Sequence, residues 1–535
     1  MKFQPKKSLR LEIACAFLLA ATTAPLHAQT APAAANAPLV APPAPTLDVT
    51  SYLFDGPMPI SADEAQKIVA PFLGKARTLE QIEAAGRALE AEIRSRGYAF
   101  HRVYVPAQKP ANGVVRLQVT AFTLGKVEVS GNQFFTNENI LNALPSLQVG
   151  EPPEVERLGR DVSASNANPA KQVTVTFKES SDPAKVDAAV KVQDVRPLSF
   201  YATLSANQWI SGAGAPANAT RLGGILQHGN MFDRDHVMTL SYTTDPSRMS
   251  AVKQYGAYYQ IPVYGRGLTV SGYYTQSDVN SGQIVQGTGV FNISGSGRFQ
   301  GLRVTQALDR WQGVQHTVSA SLDSRLFINS TTFSGVPILP NVGSRTLGLQ
   351  YAARAEVSGI DLTGTADYVT NIGGGEANTD AAYIANGGVR KWDAWRYSLA
   401  AAYQVPGWNL SARLKGQTTN KTLISGEQFG LGGATTVRGF PDRSVTGDTG
   451  FAWSLEAVGP GLTSWSIRPA AFIDGGHTHA RGTSITENIM SAGIGMRMGQ
   501  QNYQLSVDLA QVLNNASTSA SAHPARLTMN LTYRF

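Results

Sequence analysis

Cysteine, charged residues and long apolar runs are all scarce in this sequence. Only Cys15 is present among 535 residues. The charged fraction is 16%, whereas a typical soluble protein has about 25%. After residue 28 there is no apolar run of about 18 residues, so no membrane-spanning helix is expected. Without a further cysteine, disulfides, thiolate catalysis and cysteine-bound zinc are excluded beyond Cys15.

Residues 1–28 have the pattern of a secretory signal peptide. A basic start from Lys2 to Arg10 precedes an apolar stretch and then small residues up to Ala28. This order predicts export and cleavage after Ala28. The segment holds +3 of the chain's formal net charge of +7. The remaining charge is too small for a nucleic-acid footprint, so no nucleic-acid partner is expected.

Residues 29–45 are rich in alanine and proline, which predicts an extended tether. The composition then becomes that of a mixed α/β protein. Apolar residues at helical spacing over residues 78–96 predict a helix, and alternation over residues 115–120 predicts a strand. A similar order of elements follows, so we predict two small β-α-α-β-β units, residues 46–124 and 125–197.

From residue 198 to residue 535 the sequence is a succession of alternating apolar and polar segments separated by turn residues. The cleanest alternation lies in the last eleven residues, from Ala525 to Phe535. We predict about sixteen strands, an even number as a single-chain transmembrane barrel requires, and no helix after Pro197. The predicted strands are 198–209, 219–229, 236–245, 251–262, 266–277, 294–308, 314–327, 344–357, 359–372, 393–405, 407–419, 449–459, 464–474, 489–499, 501–511 and 525–535.

The connections between these strands alternate in length. Five turns are expected to be tight, and the longest connection runs from Asn420 to Asp448. Short turns on one side and long loops on the other are typical of outer-membrane barrels. The tight turns are Val263-Tyr264-Gly265, Ser358-Gly359, Pro406-Gly407, Pro460-Gly461 and Gln500-Gln501.

A soluble sandwich or solenoid would also show alternation. Aromatic residues near the predicted strand ends, among them Tyr255, Tyr274, Trp395 and Trp408, favour the membrane barrel, because they suit interfacial girdles. The terminal Tyr533-Arg534-Phe535 also ends the chain on a membrane-type strand. The sequence therefore predicts an exported protein whose C-terminal part is a transmembrane antiparallel β-barrel.

Two motifs in this region resemble a known family. Glu427-Gln428-Phe429-Gly430-Leu431-Gly432-Gly433 is followed by Val437-Arg438-Gly439-Phe440, and Phe472-Ile473-Asp474-Gly475-Gly476 comes later. With these motifs, residues 46–535 resemble the outer-membrane transporters of two-partner secretion. These TpsB proteins form the ShlB/FhaC/HecB haemolysin secretion/activation family of the BamA superfamily. The resemblance implies a barrel of sixteen strands preceded by two periplasmic α/β POTRA domains.

In that family the loop bearing the first motif folds back into the barrel lumen, where its arginine pairs with the aspartate of the second motif. The resemblance therefore implies a pairing of Arg438 with Asp474. The residues implied to lock the loop in the lumen are Val437, Arg438, Gly439, Phe440, Phe472, Asp474 and Gly476.

The predicted periplasmic units also match the family. Arg96-Gly97-Tyr98 and Val103-Tyr104-Val105-Pro106, with Gln108, are similar to its POTRA signatures. The resemblance implies passenger binding here, and we expect an extended passenger segment to add as a strand along 99–105 or 115–120. The implied binding residues are Gly97, Tyr98, Tyr104, Pro106 and Gln108.

The implied function is that of a pore in the Gram-negative outer membrane. It would recognise a large secreted TpsA-type exoprotein, of haemolysin or adhesin type, and translocate it unfolded without nucleotide hydrolysis. Other implied partners are outer-membrane lipid and the barrel assembly machinery, through the strand ending at Phe535. Several relatives have a helix that plugs the pore, but residues 29–45 are too rich in proline for a good helix.

Two other functions stay open. A BamA-type insertase shares the loop and strand motifs, although the main insertase has five POTRA domains where two are predicted here. A passive porin needs neither the POTRA pair nor the arginine loop. No catalytic residue, cofactor or metal is expected. His477 and His479 with Asp474 could suggest a metal site, but a His-x-His at the mouth of a loop without a third fixed ligand is a weak signal. No nucleophile or nucleotide motif is present.

Overall fold

The computed structural model describes residues 45–209, 219–247, 249, 252–278, 282–286, 289–293, 296–329, 332–333, 336–462, 466–500, 502–514 and 525–535. The predicted signal peptide, and the tether up to residue 44, lie outside the described residues.

The first unit is a three-stranded sheet covered on one face by two helices. Its elements are β1 (Thr46–Val49), β2 (Ser51–Asp55), α1 (Ala62–Val69), β3 (Gly74–Thr78), α2 (Leu79–Ser95), β4 (His101–Tyr104) and β5 (Val114–Ala121). The sheet order is β2-β5-β4, with β2 parallel and β4 antiparallel to β5, while β1 and β3 form a separate pair. The helices begin at capping boxes, Ser61 with Glu64 and Thr78 with Gln81, which satisfy backbone amides at both starts.

The second unit repeats this arrangement. It consists of β6 (Thr123–Ser130), α3 (Asn137–Asn142), α4 (Val155–Asn166), β7 (Lys171–Glu179) and β8 (Lys185–Asp194). The sheet order is β6-β8-β7, again with a parallel and an antiparallel edge strand. Both units thus contain two helices and a three-stranded sheet. Among the described residues, no helix is both long and apolar enough to cross a membrane.

The remainder of the described chain is dominated by strands. In chain order they are β9 (Leu198–Trp209), β10 (Ala219–Met231), β11 (His236–Thr244), β12 (Lys253–Val263), β13 (Leu268–Ser277), β14 (Gly282–Gln286), β15 (Gly289–Ile293), β16 (Gly297–Ala307), β17 (Gln315–Phe327), β18 (Thr332–Phe333), β19 (Val336–Pro337), β20 (Val342–Val357), β21 (Ile360–Asn371), β22 (Asp393–Val405), β23 (Trp408–Thr418), β24 (Phe429–Leu431), β25 (Val445–Gly447), β26 (Thr449–Val458), β27 (Arg468–His479), β28 (Thr486–Gly499), β29 (Tyr503–Asn514) and β30 (Ala525–Arg534). Helix α5 (Asp380–Ala385) lies between β21 and β22.

Sixteen of these strands close into an antiparallel barrel, as predicted. The hairpins β14-β15, β18-β19 and β24-β25 stand outside it and belong to the connections. Closure is made by β30 against β9, which pair continuously from Arg526–Trp209 to Arg534–Tyr201. Every barrel strand is therefore hydrogen-bonded on both sides.

The two faces of the barrel wall differ in polarity. Large apolar side chains point outward and are exposed, as with Leu302 (61%), Leu399 (57%) and Ile494 (65%). The alternate residues point into the lumen and are mostly small, polar or charged, for example Ser321, Ser398 and Arg497. An apolar belt around a polar interior is the arrangement that a bilayer requires of a barrel.

Several strand ends are shifted by up to three residues from the predicted bounds, and three larger differences stand out. Helix α5 contradicts the expectation of no helix after Pro197. Its six residues follow the N-cap Thr379, whose hydroxyl accepts a bond from the Ala382 amide (3.2 Å). They are too few to give a periodic pattern. Strand β27 spans Arg468–His479 rather than 464–474, because its outer end continues to pair with β26 as far as Thr449–His479.

The third difference is the turn predicted at Pro460-Gly461. The connection between β26 and β27 is longer, because the amide of Leu462 donates to the carbonyl of Ile467 (2.9 Å) beyond the rim of the barrel. Ser466 has a left-handed φ of 53° in this connection. Leu462 and Ile467 are therefore still paired after Pro460-Gly461.

The second unit is joined to the barrel by a buried polar cluster. Lys171 on β7 lies 2.5 Å from Asp235, in the turn between β10 and β11, and neither side chain is exposed. Asp235 also accepts a bond from the hydroxyl of Tyr264 (2.6 Å). Burial lowers the pKa of Lys171, and Asp235 opposes that shift. This cluster fixes the unit at the end of the barrel that carries the short turns.

Candidate functional site: a loop held inside the barrel

The longest connection, residues 419–448 between β23 and β26, folds back against the inner wall of the barrel. Its stem is the hairpin β24-β25, in which Phe429 pairs with Gly447 and Leu431 with Val445. The stem packs on β26 and β27, and Gly476 leaves room for it because any Cβ there would collide with Leu431. Val437 and Phe440 are buried in the same apolar cluster.

At the tip of the loop, Arg438 binds Asp474 through two parallel hydrogen bonds. Its Nε lies 2.7 Å from Asp474 Oδ2 and its Nη2 lies 2.9 Å from Oδ1. The backbone amide of Arg438 donates to the same carboxylate (3.1 Å). Arg438 is 5% exposed and Asp474 is 1% exposed. A buried bidentate pair of this kind is strong and directional.

The guanidinium also lies over the face of an aromatic ring. Its Cζ is 3.4 Å from the centre of the Phe472 ring, which is a cation–π contact. Phe472 itself is buried and lies over Gly493 of β28. A side chain at position 493 would collide with the Phe472 ring. Phe472 and Asp474 therefore both hold Arg438, one from the face and one from the edge of the guanidinium.

Further charges complete the site. Glu456 on β26 accepts a bond from Arg438 Nη1 (2.6 Å) and another from Arg497 (2.9 Å). Arg497 in turn binds Asp508 on β29 (2.7 Å), which lies 3.7 Å from Arg438. Two arginines thus face three carboxylates across four barrel strands. Sequence reasoning missed Glu456, Arg497 and Asp508, although each is a charged residue at a lumen-facing position of a membrane strand.

Glycines allow the tip to reach the wall. Gly439 has a φ of 90°, and a Cβ there would lie 3.3 Å from Ala510 and 3.4 Å from Ser491. Gly433 has a φ of 89°, and a Cβ there would collide with the side chain of Asp442. Both conformations favour glycine, because side chains rarely adopt a left-handed backbone.

The outer base of the loop carries a second buried ion pair. Glu427 is 2% exposed and binds Arg325 on β17 (2.9 Å) and Arg396 on β22 (2.8 Å). The hydroxyl of Ser344 on β20 also donates to it (2.6 Å). Sequence reasoning placed Glu427 in the motif but gave it no role.

The five predicted passenger-binding residues are not grouped into one surface. Gly97 lies between the two units, where its carbonyl accepts a bond from the Val155 amide (3.1 Å) at the start of α4. Tyr98 packs against the first core. Pro106 is half-buried. Tyr104 alone projects into solvent, with 50% of its surface exposed.

Gln108 has a structural contact. Its side-chain amide donates to the carbonyl of Arg116 and accepts from the Arg116 amide, both at 2.8 Å. These two hydrogen bonds continue the sheet along the edge of β5, beyond the end of β4. Gln108 therefore stands in for a strand residue.

His477 and His479 do not converge with Asp474. Asp474 points into the lumen, whereas the two histidines occupy the alternate, outward positions of β27, paired with Asn488 (2.9 Å) and Thr486 (3.2 Å). Within the described part of the chain, no three His, Cys, Asp or Glu side chains are placed to hold a metal ion.

A closed barrel with an inserted, ion-paired loop and two small α/β units at the short-turn end defines the class of outer-membrane transporters with POTRA domains. The chain belongs to the haemolysin secretion/activation protein ShlB/FhaC/HecB family, whose profile matches residues 187–498. Residues 47–121 match the POTRA domain of ShlB type. The protein is therefore an outer-membrane transporter of the two-partner secretion type.

Individual relatives agree with this placement. The outer membrane transporter CdiB of Dickeya dadantii is 21% identical over 457 residues, which cover 81% of this chain and 77% of the relative. The structure of CdiB from Escherichia coli is similar with a TM-score of 0.77 and 16% identity, over 94% of this chain and 93% of that one. CdiB from Acinetobacter baumannii gives 0.71 and 16%, over 92% and 90%. At these identities the structures establish a shared fold.

Proposed function

We propose that this transporter carries a large TpsA-type exoprotein, unfolded, from the periplasm to the cell surface. The observation that carries the proposal is the loop of residues 419–448, which lies inside the barrel and is held there by the Arg438–Asp474 ion pair. A lumen occupied by a releasable loop suits a conduit that opens for a passenger. The two periplasmic units supply surfaces on which the passenger can first bind.

Translocation would proceed without nucleotide hydrolysis. The lumen of a sixteen-stranded barrel admits an extended chain but not a folded protein. Folding of each emerged segment outside buries apolar surface, which opposes its return. The free energy for transport would thus come from folding of the passenger.

The sheet edges narrow the choice of a passenger-binding strand. Residues 115–120 belong to β5, which is paired on both sides and cannot accept a strand. The edge of β4 is capped, because Glu90 accepts a bond from the Val103 amide (3.0 Å). In the second unit, Asn166 caps β7 through both backbone groups of Val173.

The remaining edge of the second unit is β6. Among the hydrogen bonds of the described residues, none joins a side chain to the backbone of residues 127–130. An exposed edge of this kind can bind an extended segment through main-chain hydrogen bonds. We therefore place the first passenger contact along β6, in the place of the two segments expected from the sequence.

Deletion of the gene tests the proposed function. We expect loss of one very large protein from the culture supernatant, with other outer-membrane barrels unchanged. General depletion of barrels would indicate a BamA-type insertase instead. No change in either fraction would favour a passive porin. The passenger lost from the supernatant would also show whether it is a haemolysin, an adhesin or a contact-dependent toxin.

Two further partners belong to this proposal. The apolar belt of the barrel would contact outer-membrane lipid. The barrel assembly machinery would insert the chain by way of β30 and Phe535. Depletion of that machinery should leave the chain in the periplasm, whereas unchanged insertion would contradict this part of the proposal.

A further inference from the structure

Glu427 and Arg438 belong to the same loop but bind different parts of the barrel wall. The side-chain partners of Glu427 lie on β17, β20 and β22. Those of Arg438 lie on β26, β27 and β29. No side chain is shared between these two sets of partners. The loop is therefore attached at two separate places.

The attachment at Glu427 is electrostatically well defined. Its carboxylate is buried between two arginines, and its backbone carbonyl accepts a bond from Gln417 (3.0 Å). Arg396 is fixed in turn by Gln417 Oε1 (2.8 Å). Removing one member of a buried ion pair leaves the other charges without compensation, which is strongly unfavourable.

An apolar layer lies next to this ion pair. Leu423 and Ile424, just before Glu427, are each 1% exposed and pack in one cluster with Phe327, Tyr383 and Trp392. Tyr383 is on α5 and Trp392 precedes β22, so the outer connection that contains α5 covers the base of the loop. The base is thus held by both packing and charge.

We propose that Glu427 is a second positioning residue of transport, which anchors the base of the loop independently of the tip. Release of Arg438 then frees the tip while the base stays against β17, β20 and β22. The loop would move as a flap hinged at Glu427 and would remain attached to the barrel. The role in transport rests on the proposed function, but the anchoring is a property of the empty barrel.

Cysteine reporters can test the two attachments separately, because the chain has no cysteine after Cys15. Ser491→Cys reports on the tip, since Ser491 is buried beneath Gly439. Ala394→Cys reports on the base, since Ala394 is 1% exposed in the cluster with Leu423. The measurement is the rate of maleimide labelling of the purified full-length protein in detergent, without passenger.

Arg438→Ala should raise labelling at the tip reporter by about tenfold or more and leave the base reporter within about twofold. Glu427→Gln should do the reverse. The control is Glu376→Gln, which neutralises an exposed carboxylate paired with Arg298 (2.9 Å) outside the loop, and it should change neither rate. Arg396→Gln removes a cationic partner of Glu427 and should have the same effect on both reporters as Glu427→Gln. It replaces Glu427→Gln in the test if Glu427→Gln folds poorly.

Equal increases at both reporters from either variant would show that the loop is released as one unit, which overturns the proposal. A base reporter that stays protected in both Glu427→Gln and Arg396→Gln would overturn it as well. Secretion is measured separately in cells. The two reporters could respond independently while every variant secretes normally. That result would contradict the proposed function of the loop in transport, but it would still support Glu427 as a separate anchor of the loop.

Discussion

The guanidinium of Arg438 stacks on the ring of Phe472, with 3.4 Å between Cζ and the ring centre. The stacking fixes the plane of the guanidinium, so that two of its nitrogens face Asp474 and a third faces Glu456. A lysine at this position could supply the charge but neither the stacking nor the two parallel bonds. The contact therefore explains a requirement for arginine as well as for positive charge.

Replacement of Arg438 should loosen the loop. Arg438→Ala leaves buried Asp474 unpaired, which costs about 3–5 kcal/mol of local stability, and Arg438→Lys should recover only part of it. We expect higher single-channel conductance and reduced secretion, with a barrel that still shows heat-modifiable migration. Arg354→Ala is the control, because Arg354 is a lumen-facing cation with 65% of its side chain exposed. Normal export by Arg438→Ala would refute the role.

Gly439→Ala should disturb the same tip without removing a charge. A left-handed backbone costs a non-glycine residue about 1–2 kcal/mol, and the new Cβ also presses on Ala510 and Ser491. Gly482→Ala is the matched control, since Gly482 has a φ of 73° but open space around it. We expect faster labelling of the Ser491→Cys reporter for Gly439→Ala only. Equal effects of the two variants would mean that contact with the wall is unimportant.

The junction between the second unit and the barrel should depend on Lys171. Lys171→Met leaves the carboxylate of Asp235 buried without its cation, which costs about 3–5 kcal/mol. The measurement is proteolytic cleavage between β8 and β9 in the full-length protein. Arg160→Ala removes an exposed ion pair with Asp309 at the same junction and should cost about 0–1 kcal/mol. Equal cleavage of both variants would contradict a special role for the buried pair.

The first helix should lose protection in acid. Hydrogen bonds from Arg96, and then from Ser61, lower the pKa of Glu64 to about 2. A carboxylate with a depressed pKa stabilises the fold above its ordinary pKa and loses this effect as pH falls towards the folded value. Hydrogen exchange of α1 should therefore become less protected between about pH 5 and pH 2. Glu64→Gln should flatten that dependence, and an unchanged profile would argue against this origin.

Cross-linking can locate the first passenger contact. Ser130→Cys places a thiol on the exposed edge strand β6, and Arg102→Cys places one on β4, whose edge is capped by Glu90. A photoactivatable cross-linker is attached to each cysteine, and the protein is illuminated with a passenger segment bound. We expect adducts at Ser130→Cys and few at Arg102→Cys. The opposite ratio would move the contact to the first unit.

Much of the barrel could be predicted because the membrane imposes a local pattern. Each strand such as β30 alternates between lipid and lumen, so its position is visible without knowledge of its neighbours. The same reasoning failed at α5 and at Pro460-Gly461. A six-residue helix has too few turns to show periodicity. At Pro460-Gly461 the hydrogen bond of Leu462 with Ile467 keeps the two chain segments paired beyond the predicted turn.

The candidate site was predicted only where a motif marked it. Resemblance implied the pairing of Arg438 with Asp474, and the structure has the two in contact. Glu456 and Asp508 come together with Arg438 only through closure of the barrel and folding of the loop, which local sequence does not encode. Gln108 is the converse case: its motif implied passenger binding, but its side chain is hydrogen-bonded to the backbone of Arg116.

The pairing of β30 with β9 runs over nine residue pairs, as many as between β29 and β30. A chain that moves through the lumen of a barrel closed in this way does not contact the hydrocarbon of the membrane. Its charged segments are spared the cost of transfer into lipid, and its apolar segments have no membrane phase in which to stay. The amino-acid composition of a cargo is therefore free to follow the needs of its folded form outside the cell.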